Sequence, residues 1–346
     1  MQYNHDMKVL IAMSGGVDSS VAALLLKQQG YDVIGGTMEI YQTEKAVEDS
    51  RKIAKKLDIP FNVFDFRDIF KEKVMKYFVD EYLAGRTPNP CVVCNKEIKF
   101  SALLDGAMDL GAEYIATGHY AQIEERDGRY LLKKGKSSGK DQAYFLYRLT
   151  QEQLSRILFP IGGMEKEEVR RIAKENDLFV AEKEDSQEVC FIEDNDYVGF
   201  IESTTKKKMP NGKFVDVNGN VLGEHSGVYN YTVGQRKGLG IASNKPLFVV
   251  DIDVKRNVIV LGDDEDTLGD TLVASNLNWI MFEKLEKEMR VTAKIRYGAK
   301  EAGCTIFPVS DNKVKVVFDI PQRAITPGQS VVFYDNDYIV GGGVIE

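Results

Sequence analysis

One short loop constrains the fold of this chain more than any other segment. Residues 14–20 read SGGVDSS, and they join an apolar strand at 9–12 to a helix that begins near Val21. Two adjacent glycines let the backbone approach a ligand, while the helix start directs unpaired N–H groups and positive dipole charge at the same point. The serine hydroxyls add further donors. This junction predicts a phosphate site, although an ordinary strand-to-helix turn is the alternative. The lysine of the kinase and GTPase phosphate loop is absent.

Strands and helices alternate in the first part of the chain. The pattern predicts strands at 8–12, 32–38, 61–66 and 114–117, and helices at 44–57, 69–83 and 96–110. This order is typical of an α/β fold with a doubly wound parallel sheet, whose ligands bind beyond the carboxyl ends of the strands. The phosphate loop, Met38 and Gly118 should all lie at that edge. Residues 152–177, including Ile157-Leu158, are predicted to be helical.

A lysine- and glycine-rich stretch at 204–219 marks a change of pattern. Beyond it come short β-like runs separated by turn residues, which predict a small β-rich middle domain and a C-terminal β-barrel. The expected domains are 1–203, which binds the nucleotide and carries the catalytic residues, then 204–268 and 269–346.

Composition sets further limits. The chain has 346 residues, 43% of them hydrophobic and 28% charged, as in ordinary globular proteins. No apolar run approaches the ~20 residues of a membrane span, and the N-terminus lacks a signal-peptide pattern. Four cysteines in so long a chain indicate a reducing cytoplasm. The net charge of −8 argues against nucleic-acid binding through bulk charge, but residues 129–148 and Lys206-Lys207-Lys208 are locally basic.

The cysteines form the second chemical feature. Cys91 and Cys94 follow a proline-rich turn and lie near the predicted start of the 96–110 helix, where the dipole, Lys96 and Lys99 should lower the pKa of Cys94. A structural zinc half-site is the alternative for this pair. Cys190 lies in a polar segment, 185–191, and is either a reactive thiol or a buried apolar residue. Cys304 is expected to pack within a strand.

Several segments taken together resemble the bacterial tRNA-specific 2-thiouridylases, the MnmA family of PP-loop ATP pyrophosphatases. They occur in the family's order and carry the resemblance at 13–20, 84–90, 94–100, 116–120, 140–146, 190–192, 234–240 and 326–330. The resemblance implies an adenine-nucleotide hydrolase-like fold and ATP-dependent 2-thiolation of the wobble uridine, U34. In this reaction the uridine O2 is adenylated with Mg²⁺ present and pyrophosphate leaves. Sulfur then arrives from a Cys190 persulfide with Cys94 as nucleophile, and a transient Cys94–Cys190 disulfide closes the cycle.

The resemblance also assigns binding residues. Those implied for the nucleotide are Ala12, Met13, Ser14, Gly15, Gly16, Val17, Asp18, Ser19, Met38 and Gly118. Those implied for tRNA are Asn89, Pro90 and Cys91 at the flipped target base, with His119, Lys140, Asp141, Gln142, Arg296, Tyr297 and Gln329 elsewhere. The implied partners are the tRNA anticodon stem-loop and a cysteine desulfurase or sulfur-relay protein, with no membrane involved.

Two departures from the family pattern bear on mechanism. Cys91 stands where the family commonly has aspartate, so Cys91, Cys94 and Cys190 offer three thiolates for a [4Fe–4S] cluster as an alternative sulfur carrier. The segment after Met38 is shorter than is typical. Two other functions remain as alternatives: a PP-loop amide ligase, which would need no cysteine pair, and a non-catalytic tRNA-binding or iron–sulfur scaffold.

Overall fold

The computed structural model describes residues 7–41, 44–184 and 189–346. Three parts of the sequence lie outside the described residues: the N-terminal segment 1–6, residues 42–43 in the short segment after Met38, and the polar residues 185–188 before Cys190. The strands are β1 Lys8–Ala12, β2 Asp32–Glu39, β3 Phe61–Asp65, β4 Tyr114–Ala116, β5 Ala121–Arg126, β6 Arg129–Lys134, β7 Ile157–Leu158, β8 Gly212–Asp216, β9 Val221–His225, β10 Phe248–Asp253, β11 Val258–Gly262, β12 Leu268–Trp279, β13 Met289–Lys294, β14 Ala302–Ser310, β15 Lys313–Arg323, β16 Ser330–Asp335 and β17 Tyr338–Ile345.

The α-helices are α1 Val17–Gln28, α2 Glu44–Lys56, α3 Arg67–Phe70, α4 Lys76–Leu83, α5 Pro90–Cys94, α6 Leu103–Asp109, α7 Gln151–Ser155, α8 Lys166–Glu175 and α9 Tyr197–Thr205. Two π-helical segments, Lys71–Met75 and Asn95–Ala102, connect α3 to α4 and α5 to α6. The predicted helix at 96–110 therefore begins earlier, at Pro90. Proline at the first helical position costs no hydrogen bond, because that N–H has no partner within a helix.

A five-stranded parallel sheet confirms the predicted α/β fold. Its order is β3-β2-β1-β4-β7, with β1 at the centre. The edge strand β7, Ile157–Leu158, was predicted to be helical, and that prediction is wrong because these two residues pair with β4. Val9, Leu10 and Ile11 of β1 are completely buried, as expected for a strand with helices on both faces. Since the chain crosses to either side of β1, the carboxyl ends of β2, β1 and β4 meet at one edge.

From Gly212 onward the described chain is built mainly from β-strands, as predicted. A four-stranded sheet of order β10-β11-β8-β9 forms the middle unit around Phe214, Val249 and Ile259. Six strands, β12-β15-β14-β13-β16-β17, then close into a barrel through the pairing of β17 with β12. The exact domain boundaries stay a prediction.

A hairpin from the first half extends the barrel sheet. Strands β5 and β6 pair with each other, and β6 pairs with β17 where Tyr338 meets Lys133. Arg129 donates to the carbonyl oxygens of Ile280 and Phe282 at 2.7 and 2.8 Å. Part of the basic stretch 129–148 is therefore used to attach the hairpin to the barrel.

In the part of the chain that the structure describes, no helix is both long and apolar enough to cross a membrane.

Candidate active site

The phosphate loop lies between β1 and α1, as predicted. Gly15 has a backbone φ of +68°, and a Cβ there would come within 2.7 Å of the Ala46 carbonyl oxygen in α2. Both the backbone conformation and the packing therefore require glycine. Gly16 is the N-cap of α1 and has no side chain to accept from the first-turn N–H groups. These donors are consequently directed at the space in front of the loop.

Serine hydroxyls hold the loop in shape. Ser19 Oγ and Ser20 Oγ donate to the carbonyl oxygen of Gly16 at 3.2 and 2.8 Å, and the backbone N–H of Ser14 donates to Ser19 Oγ at 3.2 Å. The hydroxyls that the sequence predicts as phosphate donors thus also stabilise the loop itself. Ser14 is exposed at its outer edge.

A buried lysine neutralises the carboxylate of the loop. Lys166 Nζ lies 2.8 Å from both carboxylate oxygens of Asp18, and the Tyr120 hydroxyl donates to the same carboxylate at 2.8 Å. Lys166 is the first residue of α8, where the helix dipole disfavours a cation, so the Asp18 charge offsets two costs, burial and dipole. Sequence reasoning missed Lys166, because its partner is 148 residues away.

A second lysine contacts the loop from another direction. Lys183 Nζ donates to the Gly15 carbonyl oxygen at 2.8 Å and to the Asp49 carboxylate at 3.0 Å. The loop has no lysine of its own, and the fold supplies two from elsewhere. Each lysine is paired with a carboxylate beside the loop, Lys166 with Asp18 and Lys183 with Asp49.

The residues predicted to line the nucleotide gather at this sheet edge. Ala12 ends β1, and the Met13 N–H donates to the carbonyl oxygen of Gly36 in the neighbouring strand at 2.7 Å. Met38 is buried near the end of β2, and Gly118 follows β4 on the other side. A Cβ on Gly118 would lie 2.7 Å from backbone atoms of Asp18 and Ser19, so this segment packs directly on the loop.

The three cysteines of the sequence hypothesis share one neighbourhood. Cys91 and Cys94 lie on α5, whose N-cap is Asn89; the Asn89 side chain accepts from the Val92 N–H. Charge on Cys190 or Cys91 would raise the pKa of Cys94, and charge on Cys91 would raise that of Cys190. Val189 and Phe191, on either side of Cys190, pack in the same hydrophobic cluster as Cys94. All four cysteines of the chain are free thiols, and Cys304 packs in the barrel core as expected.

The expected lowering of the Cys94 pKa is wrong. Burial raises the pKa of this thiol to about 12, and desolvation by surrounding protein also raises the pKa of Cys91 and Cys190, although both reach the surface. Because the helix begins at Pro90, Cys94 lies a turn inside it and packs in the core. The local sequence could not show this burial.

Lys99 is the cation that opposes this effect. Its charge lowers the pKa of Cys91, of Cys94 and of Cys190. Lys99 lies five residues after Cys94, within the π-helical segment. In a π-helix each N–H group bonds the carbonyl oxygen five residues earlier, so Lys99 lies about one helical turn after Cys94. Sequence analysis noted its proximity but did not include it among the site residues.

His119 is buried beside these groups. Its Nδ1 lies 2.7 Å from the Thr117 hydroxyl, and its ring packs between Phe100 and Phe159. Burial, assisted by Lys99, holds the pKa of His119 well below its usual value. A neutral, buried imidazole gives no charge to a phosphate, and its role in binding tRNA stays a prediction.

Most of the other residues predicted to contact tRNA also make internal contacts. Asp141 is buried and accepts from the N–H groups of Gly135 and Ala143, while Gln142 accepts from the Tyr120 N–H. Pro90 is buried at the start of α5, and Lys140 is partly exposed. Arg296 is exposed and donates to the Arg323 carbonyl oxygen at 3.0 Å.

Tyr297 presents an aromatic face near the cysteine helix. It is 39% exposed, and its ring centroid lies 4.4 Å from that of Phe145. The Phe145 carbonyl oxygen in turn accepts from Asn95, the residue after Cys94. Exposed aromatic rings of this kind suit the stacking of an unpaired base.

Metal ligation receives no support from the arrangement of side chains. Within 7–41, 44–184 and 189–346, no group of three or more His, Cys, Asp or Glu residues is placed to hold a metal ion. The zinc half-site and the cluster held by Cys91, Cys94 and Cys190 thus rest on sequence alone.

Family models match most of the chain. One described as a tRNA methyl transferase HUP domain matches residues 7–194, a tRNA methyl transferase PRC-barrel domain matches 199–263, and an aminomethyltransferase beta-barrel domain matches 269–345. A solved structure of a 4-thiouridine synthetase–RNA complex with bound ATP is 20% identical in sequence, and the match covers 54% of this chain and 45% of the synthetase chain. Its TM-score of 0.39 supports no inference about function.

Full-length relatives are much more similar. A protein of Acetivibrio thermocellus named tRNA-specific 2-thiouridylase MnmA is 56% identical over 355 residues, with 98% of this chain and 99% of the relative covered. A protein of Clostridioides difficile with the same name is 56% identical over 353 residues, with 98% of each chain covered. With this identity over nearly its whole length, the chain belongs to the family of tRNA-specific 2-thiouridylases.

Proposed function

We propose that this protein uses ATP to replace the 2-oxygen of the wobble uridine of tRNA with sulfur. A series of neighbouring residues between the phosphate loop and the thiols supports the proposal. Gly118 packs on the loop, and the ring of the next residue, His119, lies 5.9 Å from the ring of Phe100, the residue after Lys99. Lys99 acts in turn on the three thiols. A base bound between these groups would meet both activating and sulfur-transferring chemistry.

The phosphate loop would perform the activation. The uridine O2 attacks the α-phosphorus of ATP, and pyrophosphate leaves with the electron pair of the broken P–O bond. First-turn N–H groups of α1, with Lys183 beside them, would stabilise charge on the phosphoryl oxygens. Mg²⁺ is expected to accompany the nucleotide. The single carboxylate of the loop already binds Lys166 and Tyr120, so no step is assigned to a metal held by Asp18.

The cysteines would perform the replacement. The terminal sulfur of a Cys190 persulfide attacks C2, and AMP leaves with the former O2. After this step the base is joined to Cys190 through a disulfide. The Cys94 thiolate then attacks Cys190 Sγ, so that 2-thiouridine leaves and a Cys94–Cys190 disulfide forms. An external thiol reductant restores both thiols. Lys99 favours the thiolate that this step requires.

Recognition of the anticodon stem-loop would place the target base at α5. Asn89, Pro90 and Cys91 form the start of that helix, and the adjacent Tyr297–Phe145 pair offers a stacking surface for an unstacked base. The persulfide sulfur would come from a cysteine desulfurase or a relay protein. Four free thiols fit a reducing compartment such as the cytoplasm.

The test supplies unmodified tRNA, ATP, Mg²⁺ and a desulfurase with cysteine, and detects 2-thiouridine by mass spectrometry. Wild type should form it and Cys190→Ser should form none, whereas Cys94→Ser should release product only as fast as an external thiol cleaves the disulfide between the base and Cys190. Both variants should still release tRNA-dependent pyrophosphate. Cys304→Ala, which removes a thiol from the barrel core, is the matched control and should stay active. Absence of product from wild type, or full activity of both serine variants, would contradict the proposal.

Cys91 distinguishes persulfide from cluster chemistry. In the persulfide route Cys91 receives no sulfur, so Cys91→Ala should still produce 2-thiouridine. If Cys91→Ala loses thiolation while wild type purified without oxygen contains stoichiometric iron and sulfide, the cluster held by Cys91, Cys94 and Cys190 replaces the persulfide route.

A further inference from the structure

A turn of the C-terminal barrel, residues 327–329, is hydrogen-bonded to the Thr87–Pro88 loop that precedes the cysteine helix. The Thr87 N–H donates to the Pro327 carbonyl oxygen at 2.9 Å. The side-chain amide of Gln329 donates to the carbonyl oxygens of Thr87 at 3.0 Å and Pro88 at 3.2 Å. Three hydrogen bonds therefore join segments about 240 residues apart in the chain.

Gly328 makes this close approach sterically feasible. Its φ is +89°, and a Cβ there would lie 2.9 Å from Arg86 Cβ and 3.0 Å from the backbone nitrogen and oxygen of Thr87. Any larger residue would push the two segments apart.

The barrel turn is itself held firmly. The Gly328 N–H donates to the Ile345 carbonyl oxygen at 2.9 Å, and the Ile345 N–H donates to that of Gln329 at 2.9 Å. Ile345 is the last residue of β17, which closes the barrel against β12. The turn is therefore fixed to the barrel, and its hydrogen bonds fix the Thr87–Pro88 loop to the barrel as well.

The Thr87–Pro88 loop leads directly into the start of the cysteine helix. Asn89 follows Pro88 directly and caps α5, on which Cys91 and Cys94 lie. The next residue of the turn contributes as well, because the Ser330 carbonyl oxygen accepts from the Tyr144 hydroxyl at 2.9 Å and Tyr144 packs in the same hydrophobic cluster as Val92 and Cys94 of α5. The barrel therefore contacts the loop directly and reaches the cysteine helix through Tyr144.

From these contacts we infer that Gln329 is a positioning residue that holds the Thr87–Pro88 loop, and through it Cys91 and Cys94, in place for sulfur transfer. The inference rests on the proposed thiolation for its catalytic consequence, but the positioning itself is independent of it. This role differs from a contact between Gln329 and tRNA, since the amide nitrogen is directed at two protein carbonyls. The C-terminal barrel is accordingly a structural part of the active site.

Gln329→Glu tests this with little change of shape. A carboxylate has no hydrogen to donate and would face two carbonyl oxygens, so the contact should become repulsive. Gln322→Glu is the matched control, because Gln322 lies on β15 of the same barrel and its amide donates only locally, to the Ile320 carbonyl oxygen.

Two readouts separate positioning from tRNA binding. The first is the alkylation rate of Cys91 and Cys94 by iodoacetamide without tRNA or ATP, followed by peptide mass spectrometry. Gln329→Glu should raise this rate at least about fivefold, as expected for the loss of buried hydrogen bonds. The second is the thiolation rate at saturating tRNA, which should fall by a similar factor, while Gln322→Glu leaves both unchanged.

The outcomes decide the inference. Unchanged alkylation with a raised KM for tRNA would make Gln329 a tRNA contact only and overturn it, as would faster alkylation with an unchanged thiolation rate at saturation. If the glutamate variant does not fold, Gln329→Asn, which keeps the amide but cannot reach both carbonyls, takes its place with the same expected results. If wild type forms no 2-thiouridine, the proposed function fails, while the alkylation comparison still tests the positioning.

Discussion

Gly118→Ala tests whether contact between the β4 edge and the phosphate loop controls nucleotide binding. The added Cβ would lie 2.7 Å from the carbonyl carbon of Asp18 and from the backbone nitrogen of Ser19. Non-bonded carbon atoms normally rest about 3.5 Å or more apart, so one segment must move by roughly 0.8 Å. Both atoms belong to the backbone of the first turn of α1 and cannot rotate away. Overpacking of this kind costs about 1–3 kcal/mol.

The cost should appear as weaker ATP binding. If the whole overpacking free energy of about 1–3 kcal/mol is spent on distorting the phosphate loop, the dissociation constant for ATP rises by about 5- to 150-fold. Isothermal titration with a non-hydrolysable ATP analogue measures this, and a thermal melt measures any part of the cost that falls on folding. Gly139→Ala is the control, since a Cβ there has nothing within 4 Å. A Gly118→Ala variant with wild-type affinity and wild-type melting temperature would refute the reasoning.

Three further predictions concern charge. Lys99→Met should raise the pKa of Cys94 further and slow its alkylation at mildly alkaline pH, and Lys99→Arg should restore the rate. The pKa of His119 is held well below 6.5, so below that pH the unfolded state binds more protons, and stability should fall by up to about 1.4 kcal/mol per pH unit. Urea unfolding at several pH values should show a flatter profile for His119→Gln. Lys166→Met should lower the unfolding free energy by about 2–3 kcal/mol, and a double-mutant cycle with Asp18→Asn should give a smaller combined loss than the sum.

Features with a local cause could be predicted from the sequence. The phosphate loop, the alternation of strands and helices in the first part of the chain and the change to β-structure after residue 204 follow from glycine placement and the periodicity of apolar residues. The hairpin of β5 and β6 also had a local signal that was missed. Asp127 and Gly128 form its two-residue turn, and both have positive φ.

Features that depend on tertiary packing could not be predicted. Lys183 meets Gly15 across 168 residues, and no local pattern predicts that pairing. The predicted direction of the Cys94 pKa shift was wrong for the same reason: the burial of Cys94, at the end of α5, depends on what the rest of the chain packs against it. Gln329 could be placed at the site only through family resemblance, whereas its contacts show the loop that it holds.

The hairpin that joins the barrel has a consequence for synthesis on the ribosome. Strand β6 pairs with β17, which lies roughly 200 residues later in the chain. At about 5–20 residues per second, the free edge of β6 waits roughly 10–40 s for its partner. During that time the Tyr130–Lys134 edge can pair with other chains, and its lysines oppose such aggregation. The nucleotide-binding half should therefore aggregate more readily when it is expressed without the barrel.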